Sequence, residues 1–214
     1  MIYFILTTKY NIIMSVKSSK LDMILGPMFS GKTTKLLEIM DVFDKQGIKY
    51  IAVKPNIDDR YNETDKNNFI VSHNFTKREC KVTSDLKDIF YEIQKNKTIE
   101  STRSESVQYV LIDEAQFFKN LYNFCIACLE FLNINVVVTG LDGDFMRKPM
   151  GEILDLLPIA NTITKLSSKC HHEGCNDPGI FSHRIVADQS QVLIGGSDKY
   201  VPLCRGHYLE YNIC

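Results

Sequence analysis

The sequence predicts an α/β fold, in which a parallel sheet carries helices on its faces. Three observations support this prediction. Apolar strand-like runs alternate with amphipathic helical patterns, a glycine-rich turn follows the first run, and two acidic residues follow a later one. The chain of 214 residues, 44% of them hydrophobic, is long enough to bury one sizeable core. We expect an N-terminal extension (1–20), a main α/β domain (21–160) and a smaller C-terminal domain (161–214).

The predicted strands and helices follow one another in a regular order. LDMIL (21–25) is an apolar run that stops at a glycine, as a buried strand does before a turn. Apolar residues of the stretch 32–44 share one helical face, and a second helical pattern occupies 121–132. Further strand patterns lie at 50–54, 107–113 and 134–140. Ligands of such sheets bind beyond the carboxyl ends of the strands, where the motifs described next are expected.

The charge and the N-terminus argue against two classes of partner. A net charge of −1 provides no basic excess for a nucleic-acid backbone. The apolar N-terminus is interrupted by Lys9 before it reaches the ~20 residues of a membrane span, and no basic segment precedes it as in a signal peptide. We therefore expect no nucleic acid, no membrane and a cytoplasmic location. The seven cysteines would then be reduced, which favours metal ligation over disulfides.

A phosphate-binding motif follows the first predicted strand. GPMFSGKT (26–33) fits the P-loop pattern G-x-x-x-x-G-K-[ST] between a strand and a helix. Its glycines let backbone N–H groups converge on phosphate oxygens, and the helix N-terminus adds to the attraction. The alternative is a glycine turn that only begins a helix, but the strand–helix context favours a nucleotide site. The predicted ATP-binding residues here are Gly26, Pro27, Met28, Phe29, Ser30, Gly31, Lys32, which would contact the β- and γ-phosphates, and Thr33, which would hold Mg²⁺.

An acidic pair, Asp113 and Glu114, ends the predicted strand 107–113. An acidic residue at this position of P-loop proteins holds the metal ion that bridges the phosphates, so Asp113 is predicted to bind ATP and Mg²⁺. The Glu114 carboxylate could accept a proton from an attacking hydroxyl group. The pair predicts phosphoryl transfer but leaves the acceptor open. Water would make the chain an ATPase, and an alcohol would make it a kinase.

Cysteine and histidine form two candidate metal-binding pairs near the C-terminus. Cys170 and Cys175 make the first pair, and Cys204 and His207 make the second about 30 residues later. Two such pairs commonly build a structural zinc site. His171 or His172, inside the wider first pair, could replace a cysteine, and unrelated buried cysteines are the alternative. Both members of the spacing Cys125-x2-Cys128 fall on an apolar helical stripe, so we predict that they pack in the core.

Together these blocks resemble the type II (cytosolic, tetrameric) thymidine kinase family. The resemblance covers residues 21–210 and is specific because the segments occur in a fixed order. The matching segments are LGPMFSGKTT (25–34), DDRY (58–61), SHN (72–74), DEAQFF (113–118), LDGDFMRKPMGEILDLLP (141–158), GGSDKY (195–200) and LCRGHY (203–208).

The resemblance implies a RecA-like P-loop domain that carries a small zinc-binding domain, a loop of which, the lasso, closes over the nucleoside. It implies that Glu114 is the catalytic base for the thymidine 5′-hydroxyl group and that Asp58, Asp59, Arg60 and Gln116 join the ATP site. It also implies Mg²⁺ with ATP, structural Zn²⁺, feedback by dTTP and a homotetramer. The implied zinc ligands are Cys170, Cys175, Cys204 and His207.

The resemblance further implies a set of residues around the thymine base. They are Met28, Phe117, Leu141, Phe145, Gln191, Val192, Leu193, Ile194, Gly195 and Tyr200. For the apolar members, a place in the core is the alternative, and Asp58 with Arg60 could form a surface ion pair.

Two competing hypotheses remain beside the nucleoside kinase. A P-loop ATPase would use Glu114 to activate water. A zinc-ribbon module would bind nucleic acid beside a degenerate ATP site. The intact Lys32, Thr33, Asp113 and Glu114 argue against degeneracy, and the near-neutral charge argues against nucleic acid.

Overall fold

The structure, a computed structural model of the chain, describes residues 18–56, 68–71, 76–99 and 106–212. Three of the predicted ATP-binding residues, Asp58, Asp59 and Arg60, lie outside the described residues, as do the segment 72–74 and the extension as far as residue 17.

Strands and helices occur at every position that the sequence patterns predict, and the structure contains further elements between and after them. The strands are β1 (Leu21–Leu25), β2 (Tyr50–Pro55), β3 (Phe69–Val71), β4 (Lys77–Glu79), β5 (Lys81–Thr83), β6 (Tyr109–Ile112), β7 (Asn135–Gly140), β8 (Thr162–Lys165), β9 (Ser168–Lys169), β10 (Pro178–Gly179), β11 (Phe181–Arg184) and β12 (Tyr200–Leu203). The α-helices are α1 (Lys32–Gln46), α2 (Leu86–Ile99), α3 (Leu121–Ile126) and α4 (Arg205–Asn212). Ala115–Phe117 and Ile153–Ile159 are 3-10 helices, and Ala127–Phe131 continues α3 as a π-helix.

Six strands form one sheet in the order β5-β2-β6-β7-β1-β8, and every pairing in it is parallel. The predicted α/β class with a parallel sheet is therefore confirmed. The strands β1, β6 and β7 are almost wholly buried because helices cover both faces of the sheet, which explains their continuous apolar runs.

The core divides between the two faces of this sheet. Successive residues of a strand point to opposite faces, so Met23 packs in one cluster and Ile24 in the other. The Ile24 cluster includes Leu36 of α1. The Met23 cluster includes Cys125 and Cys128, both fully buried. The prediction that these two cysteines are core residues is confirmed.

The chain after β8 forms a C-terminal module that comprises β9 to α4. It contains two small antiparallel pairs, β9 with β10 and β11 with β12. Its own cluster of buried residues surrounds Cys170 and Cys204. The strand β8 follows the predicted boundary at residue 160 and pairs with β1 in the main sheet. Along the part of the chain that the structure describes, none of the helices combines the length and the apolar character that a bilayer crossing requires.

Candidate active site

A cavity of about 880 Å³ opens at the carboxyl ends of the central strands. One end of it is lined by the P-loop and the acidic strand end. The other end is lined by apolar side chains and by the lasso loop (residues 185–199), which joins β11 to β12. The parallel sheet explains this arrangement because the segments that follow β1, β6 and β7 leave it at the same edge.

The P-loop forms the turn between β1 and α1 that the motif predicts. Gly31 adopts a left-handed conformation (φ 86°) at the start of the 15-residue helix. Residues 28–33 line the cavity, whereas Gly26 shapes the turn. A side chain at Gly26 would collide with the carbonyl oxygen of Leu166, so glycine is required there. The Nζ atom of Lys32, which is 7% exposed, donates to the Pro27 carbonyl oxygen at 2.7 Å.

Asp113 is a buried carboxylate at the end of β6. Its Oδ1 accepts hydrogen bonds from the Thr139 hydroxyl group at 2.5 Å and from the Glu114 backbone N–H at 3.1 Å. Its Oδ2 lies 3.4 Å from Thr33 Oγ1. The pKa of Asp113 is raised to about 6, mainly because the carboxyl group is buried and secondly because the Glu114 charge is close. Hydroxyl and carboxylate oxygens are the donors that Mg²⁺ prefers, so Thr33 and Asp113 fit the predicted metal site.

Glu114 faces the cavity from a left-handed backbone conformation (φ 49°). Its Oε2 accepts a hydrogen bond from Gln116 Nε2 at 2.7 Å. Gln116 is 3% exposed, and its Oε1 accepts the Leu141 backbone N–H at 3.1 Å. A side chain at Gly140 would overlap Gln116 Oε1, so glycine leaves room for this contact. The structure thus places Gln116, a predicted ATP-binding residue, between Glu114 and the backbone of the pocket wall.

The residues predicted to surround the thymine base line the other end of the cavity. Phe117 is half-buried at the cavity wall, whereas the adjacent Phe118 is 2% exposed and belongs to the core. Met150 also lines the cavity. The predicted residues that line it are Met28, Phe117, Leu141, Phe145, Gln191, Val192, Leu193, Ile194, Gly195 and Tyr200.

Several polar residues connect the walls of the cavity, and the sequence did not indicate them. Ser182 of β11 accepts the Met28 backbone N–H at 2.9 Å, which joins the C-terminal module to the P-loop. Asp144 accepts a hydrogen bond from Gln191 Nε2 at 3.0 Å, and the guanidinium group of Arg184 lies over the Phe145 ring. No local pattern signals these contacts because their partners are 39 to 154 residues apart in the chain.

The four predicted zinc ligands lie together in the C-terminal module. The Nδ1 atom of His207 is 3.5 Å from Cys170 Sγ and 3.2 Å from Cys204 Sγ, and the sulfur atoms of Cys175 and Cys204 are 4.0 Å apart. All four ligand atoms lie within 4.8 Å of one another. A tetrahedral zinc ion separates its sulfur and nitrogen ligands by roughly 3.3–3.8 Å, so this cluster could hold zinc.

The surroundings of the Cys/His cluster also suit a metal ion. Burial opposes ionisation of the Cys170 thiol, but hydrogen bonds from the backbone of Cys204 and His172 lower its pKa to about 7. The ring of His172 stacks on that of His207 at 3.7 Å and does not belong to the four-ligand group. Among the described residues, the group that could bind a metal therefore contains neither His171 nor His172.

Comparison with known proteins identifies the family of the chain. The family model described as thymidine kinase matches residues 19–208. A thymidine kinase of rice (Oryza sativa subsp. japonica) is 36% identical over 195 residues, which are 91% of this chain and 68% of the rice protein. A thymidine kinase of Myxoma virus (strain Lausanne) is 33% identical over 91% of this chain and 99% of its own length. A bacterial thymidine kinase, from Mycoplasma mobile, is 34% identical over 89% of this chain and 87% of its own length.

The range that the family model matches includes the P-loop, the acidic strand end and the Cys/His cluster. The chain belongs to the thymidine kinase family.

Proposed function

We propose that the chain transfers the γ-phosphate of ATP to the 5′-hydroxyl group of thymidine. One observation carries the proposal. A P-loop and the Glu114 carboxylate line the same cavity as a set of aromatic, methionine and leucine side chains that could enclose a flat base. Membership of the thymidine kinase family names the nucleoside. The resulting dTMP would feed a salvage route to DNA synthesis.

The phosphate end of the cavity would bind ATP through the P-loop. Backbone N–H groups at the start of α1 and the Lys32 ammonium group would contact the phosphate oxygens. Thr33 Oγ1 and the Asp113 carboxylate would hold Mg²⁺, which neutralises charge on the phosphates when it is bound. Asp58, Asp59 and Arg60 belong to the same proposal through the family resemblance.

Glu114 is the proposed general base. It faces the cavity between the P-loop and the aromatic wall, where its carboxylate could accept the proton of the 5′-hydroxyl group as that oxygen attacks phosphorus. The hydrogen bond from Gln116 holds one carboxylate oxygen in place. Gln116 therefore orients the base, and the contact of Gln116 with Leu141 links this orientation to the nucleoside pocket.

The nucleoside end would recognise thymidine by shape and by backbone contacts. The apolar side chains of Met28, Phe117 and Phe145 could lie against the base. Peptide groups of residues 191–195, also on the cavity wall, could pair with the edge of the base. The lasso loop would exclude water from the phosphate, which favours the sugar hydroxyl group over hydrolysis.

The Cys/His cluster is proposed to hold a structural zinc ion. Its four ligand atoms lie within 4.8 Å of one another, and four Cys or His ligands are the number that a closed structural site uses. The zinc ion would fix the ends of β9, β12 and α4, and β12 pairs with the strand that carries Ser182.

The substitution Glu114→Gln should abolish thymidine-dependent turnover while leaving ATP binding intact. Glutamine keeps the shape of the side chain but cannot accept the proton, so we expect kcat to fall about 100-fold or more. ADP and dTMP release from Mg-ATP, measured with and without thymidine, checks this. The exposed Glu130→Gln is the matched control, with an unchanged rate expected.

ADP release that does not require thymidine, in the wild type, would support the ATPase hypothesis instead. A Glu114→Gln variant that keeps wild-type turnover would contradict the assignment of the base.

The substitution Asp113→Asn should abolish activity yet stabilise the metal-free protein at neutral pH. Because folding raises the pKa of Asp113 from 3.8 to about 6, the folded state pays for an ionised buried carboxylate above pH 6. Asparagine removes that charge, so we expect a gain of roughly 3 kcal/mol in the free energy of unfolding at pH 7.

The gain should shrink as the pH falls from 6 towards 4, since the folded wild type then takes up the proton. Urea unfolding with a chelator present, at pH 7 and pH 4.5, measures it. A variant that is less stable at pH 7 would contradict the explanation by burial.

Zinc analysis should find about one ion per chain in the purified protein. The substitution Cys175→Ser should lose the ion to a competing chelator and lower the melting temperature, because three ligands bind zinc more weakly than four. His171→Ala and His172→Ala are the matched controls. Loss of zinc from either control would show that a histidine replaces a cysteine.

We also propose that the chain assembles as a homotetramer, with the edge strand β8 at one interface. Within the main sheet, β8 pairs with β1 and is the last strand in the order. All four of its residues are exposed, including Ile163 at 50%. An exposed edge strand with an apolar side chain can pair with another chain.

The substitution Ile163→Lys should weaken this assembly. Light scattering after size-exclusion chromatography should give about four times the 24.6 kDa chain mass for the wild type and a smaller mass for the variant. Val42→Lys, at a 46% exposed position of α1, is the matched control. A monomeric wild type would overturn the proposal.

Feedback by dTTP and a cytoplasmic location complete the proposal and rest on the family resemblance. Inhibition of turnover by added dTTP tests the first, and fractionation of cells that express the chain tests the second.

A further inference from the structure

Arg184 lies at the end of β11, immediately behind the wall of the nucleoside pocket. Its side chain is 1% exposed, although arginine is rarely buried to this extent unless it is paired. The nearest carboxylate among the described residues is that of Asp188, which is 3.6 Å from Nη1 and 41% exposed. The buried positive charge must therefore be stabilised mainly by groups other than a carboxylate.

The lasso loop supplies most of these partners through its backbone. Arg184 Nη1 donates to the carbonyl oxygens of Asp188 at 2.8 Å and of Ser190 at 2.6 Å, and Nη2 donates to that of Gln191 at 3.3 Å. Three peptide groups along the first half of the loop thus converge on one guanidinium group.

Two aromatic residues of the pocket wall supply the remaining partners. The guanidinium carbon lies 3.8 Å from the centre of the Phe145 ring, within the range of a cation–π contact. Nη2 donates to the Tyr200 hydroxyl oxygen at 2.7 Å, and that hydroxyl group donates to the Leu193 carbonyl oxygen at 2.8 Å. Arg184 therefore contacts the first half of the lasso loop, the Tyr200 hydroxyl group directly after the loop, and a ring that lines the cavity.

These contacts require the shape of a guanidinium group as well as its charge. A planar fork with five N–H donors can reach several carbonyl oxygens in one plane while its face lies on an aromatic ring. A lysine ammonium group at the same place would have three donors around one point. It could not donate hydrogen bonds to the loop carbonyl oxygens and to Tyr200 while also contacting the Phe145 ring.

We propose that Arg184 is a positioning residue that holds the lasso backbone and the Phe145 ring in fixed positions relative to each other. It acts through the residues that would touch the base and lies outside the cavity lining. The proposal rests on the proposed thymidine kinase activity. It predicts that Arg184 governs affinity for the nucleoside and has little influence on ATP or on the phosphoryl-transfer step.

The test compares steady-state kinetics of Arg184→Gln and Arg184→Lys with those of the wild type. For Arg184→Gln we expect the KM for thymidine to rise about tenfold or more, with the KM for ATP and kcat within about threefold of the wild type. Arg184→Lys should restore only part of the loss, because charge alone does not reproduce the fork. The matched control is Arg205→Gln, which removes an exposed guanidinium group that lies 5.1 Å from the Phe181 ring centre.

Hydrogen–deuterium exchange of residues 186–198 provides a second readout that does not depend on activity. In Arg184→Gln this segment should exchange faster than in the wild type and in Arg205→Gln, while α1 and the main sheet keep their protection. If the wild type does not phosphorylate thymidine, the proposed function fails, and the exchange data still report whether Arg184 orders the loop.

Three outcomes would overturn the proposal. They are an unchanged KM for thymidine in Arg184→Gln, complete rescue by Arg184→Lys, and a loss confined to kcat. If Arg184→Gln fails to fold, Tyr200→Phe provides the test instead. It removes only the hydroxyl group that bridges Arg184 and Leu193 and keeps the ring. It should raise the KM for thymidine about threefold or more and leave the KM for ATP unchanged.

Discussion

The hydrogen bond from Thr139 to the buried carboxylate of Asp113 joins the ends of two neighbouring strands, β7 and β6. The next strand in the sheet, β1, leads into the P-loop, whose Thr33 hydroxyl group lies 3.4 Å from the same carboxylate. The phosphate end of the cavity depends on this arrangement. A carboxylate placed here is costly for the folded chain, since burial raises its pKa. The proposed Mg²⁺ site would need that negative charge and would explain why a group that stability alone disfavours is present.

The nucleoside end is organised by contacts between the main sheet and the C-terminal module. Ser182 accepts the Met28 backbone N–H, and the Tyr208 hydroxyl group donates to the Phe145 carbonyl oxygen at 2.6 Å. Tyr208 follows the proposed zinc ligand His207 directly in α4. A zinc ion that holds this helix would therefore also support the loop that carries Phe145. In the proposed arrangement, a zinc ion would support substrate binding through structure and would take no part in the chemistry.

Two kinds of contact thus reach the Phe145 loop from the C-terminal module. The Tyr208 hydroxyl group holds its backbone, and the Arg184 guanidinium group lies on its ring. Because Arg184 also binds the lasso backbone, movement of the loop and movement of the ring are coupled. Closure over the nucleoside would then be a concerted rearrangement of several groups.

The residue patterns alone predict the α/β class, the position of the P-loop, the acidic strand end and two Cys/His pairs, although they leave open whether His171 or His172 replaces a cysteine. Each of these is a local signal, in which the chemistry belongs to residues a few positions apart or to a strand-length apolar run. The family resemblance added the pocket residues, and in the structure these residues line one cavity. Phe117 and Phe118 mark the limit of such reasoning. They are adjacent and identical, yet one faces the cavity and the other the core.

The roles of Arg184, Ser182 and Gln116 become visible only in the folded chain. Each has a partner in a distant segment, namely Phe145 for Arg184, Met28 for Ser182 and Leu141 for Gln116, and nothing in the neighbouring residues signals these contacts. A buried polar side chain must find hydrogen-bond partners wherever the packed chain provides them, so its role becomes visible only when the fold has brought those partners within about 3 Å.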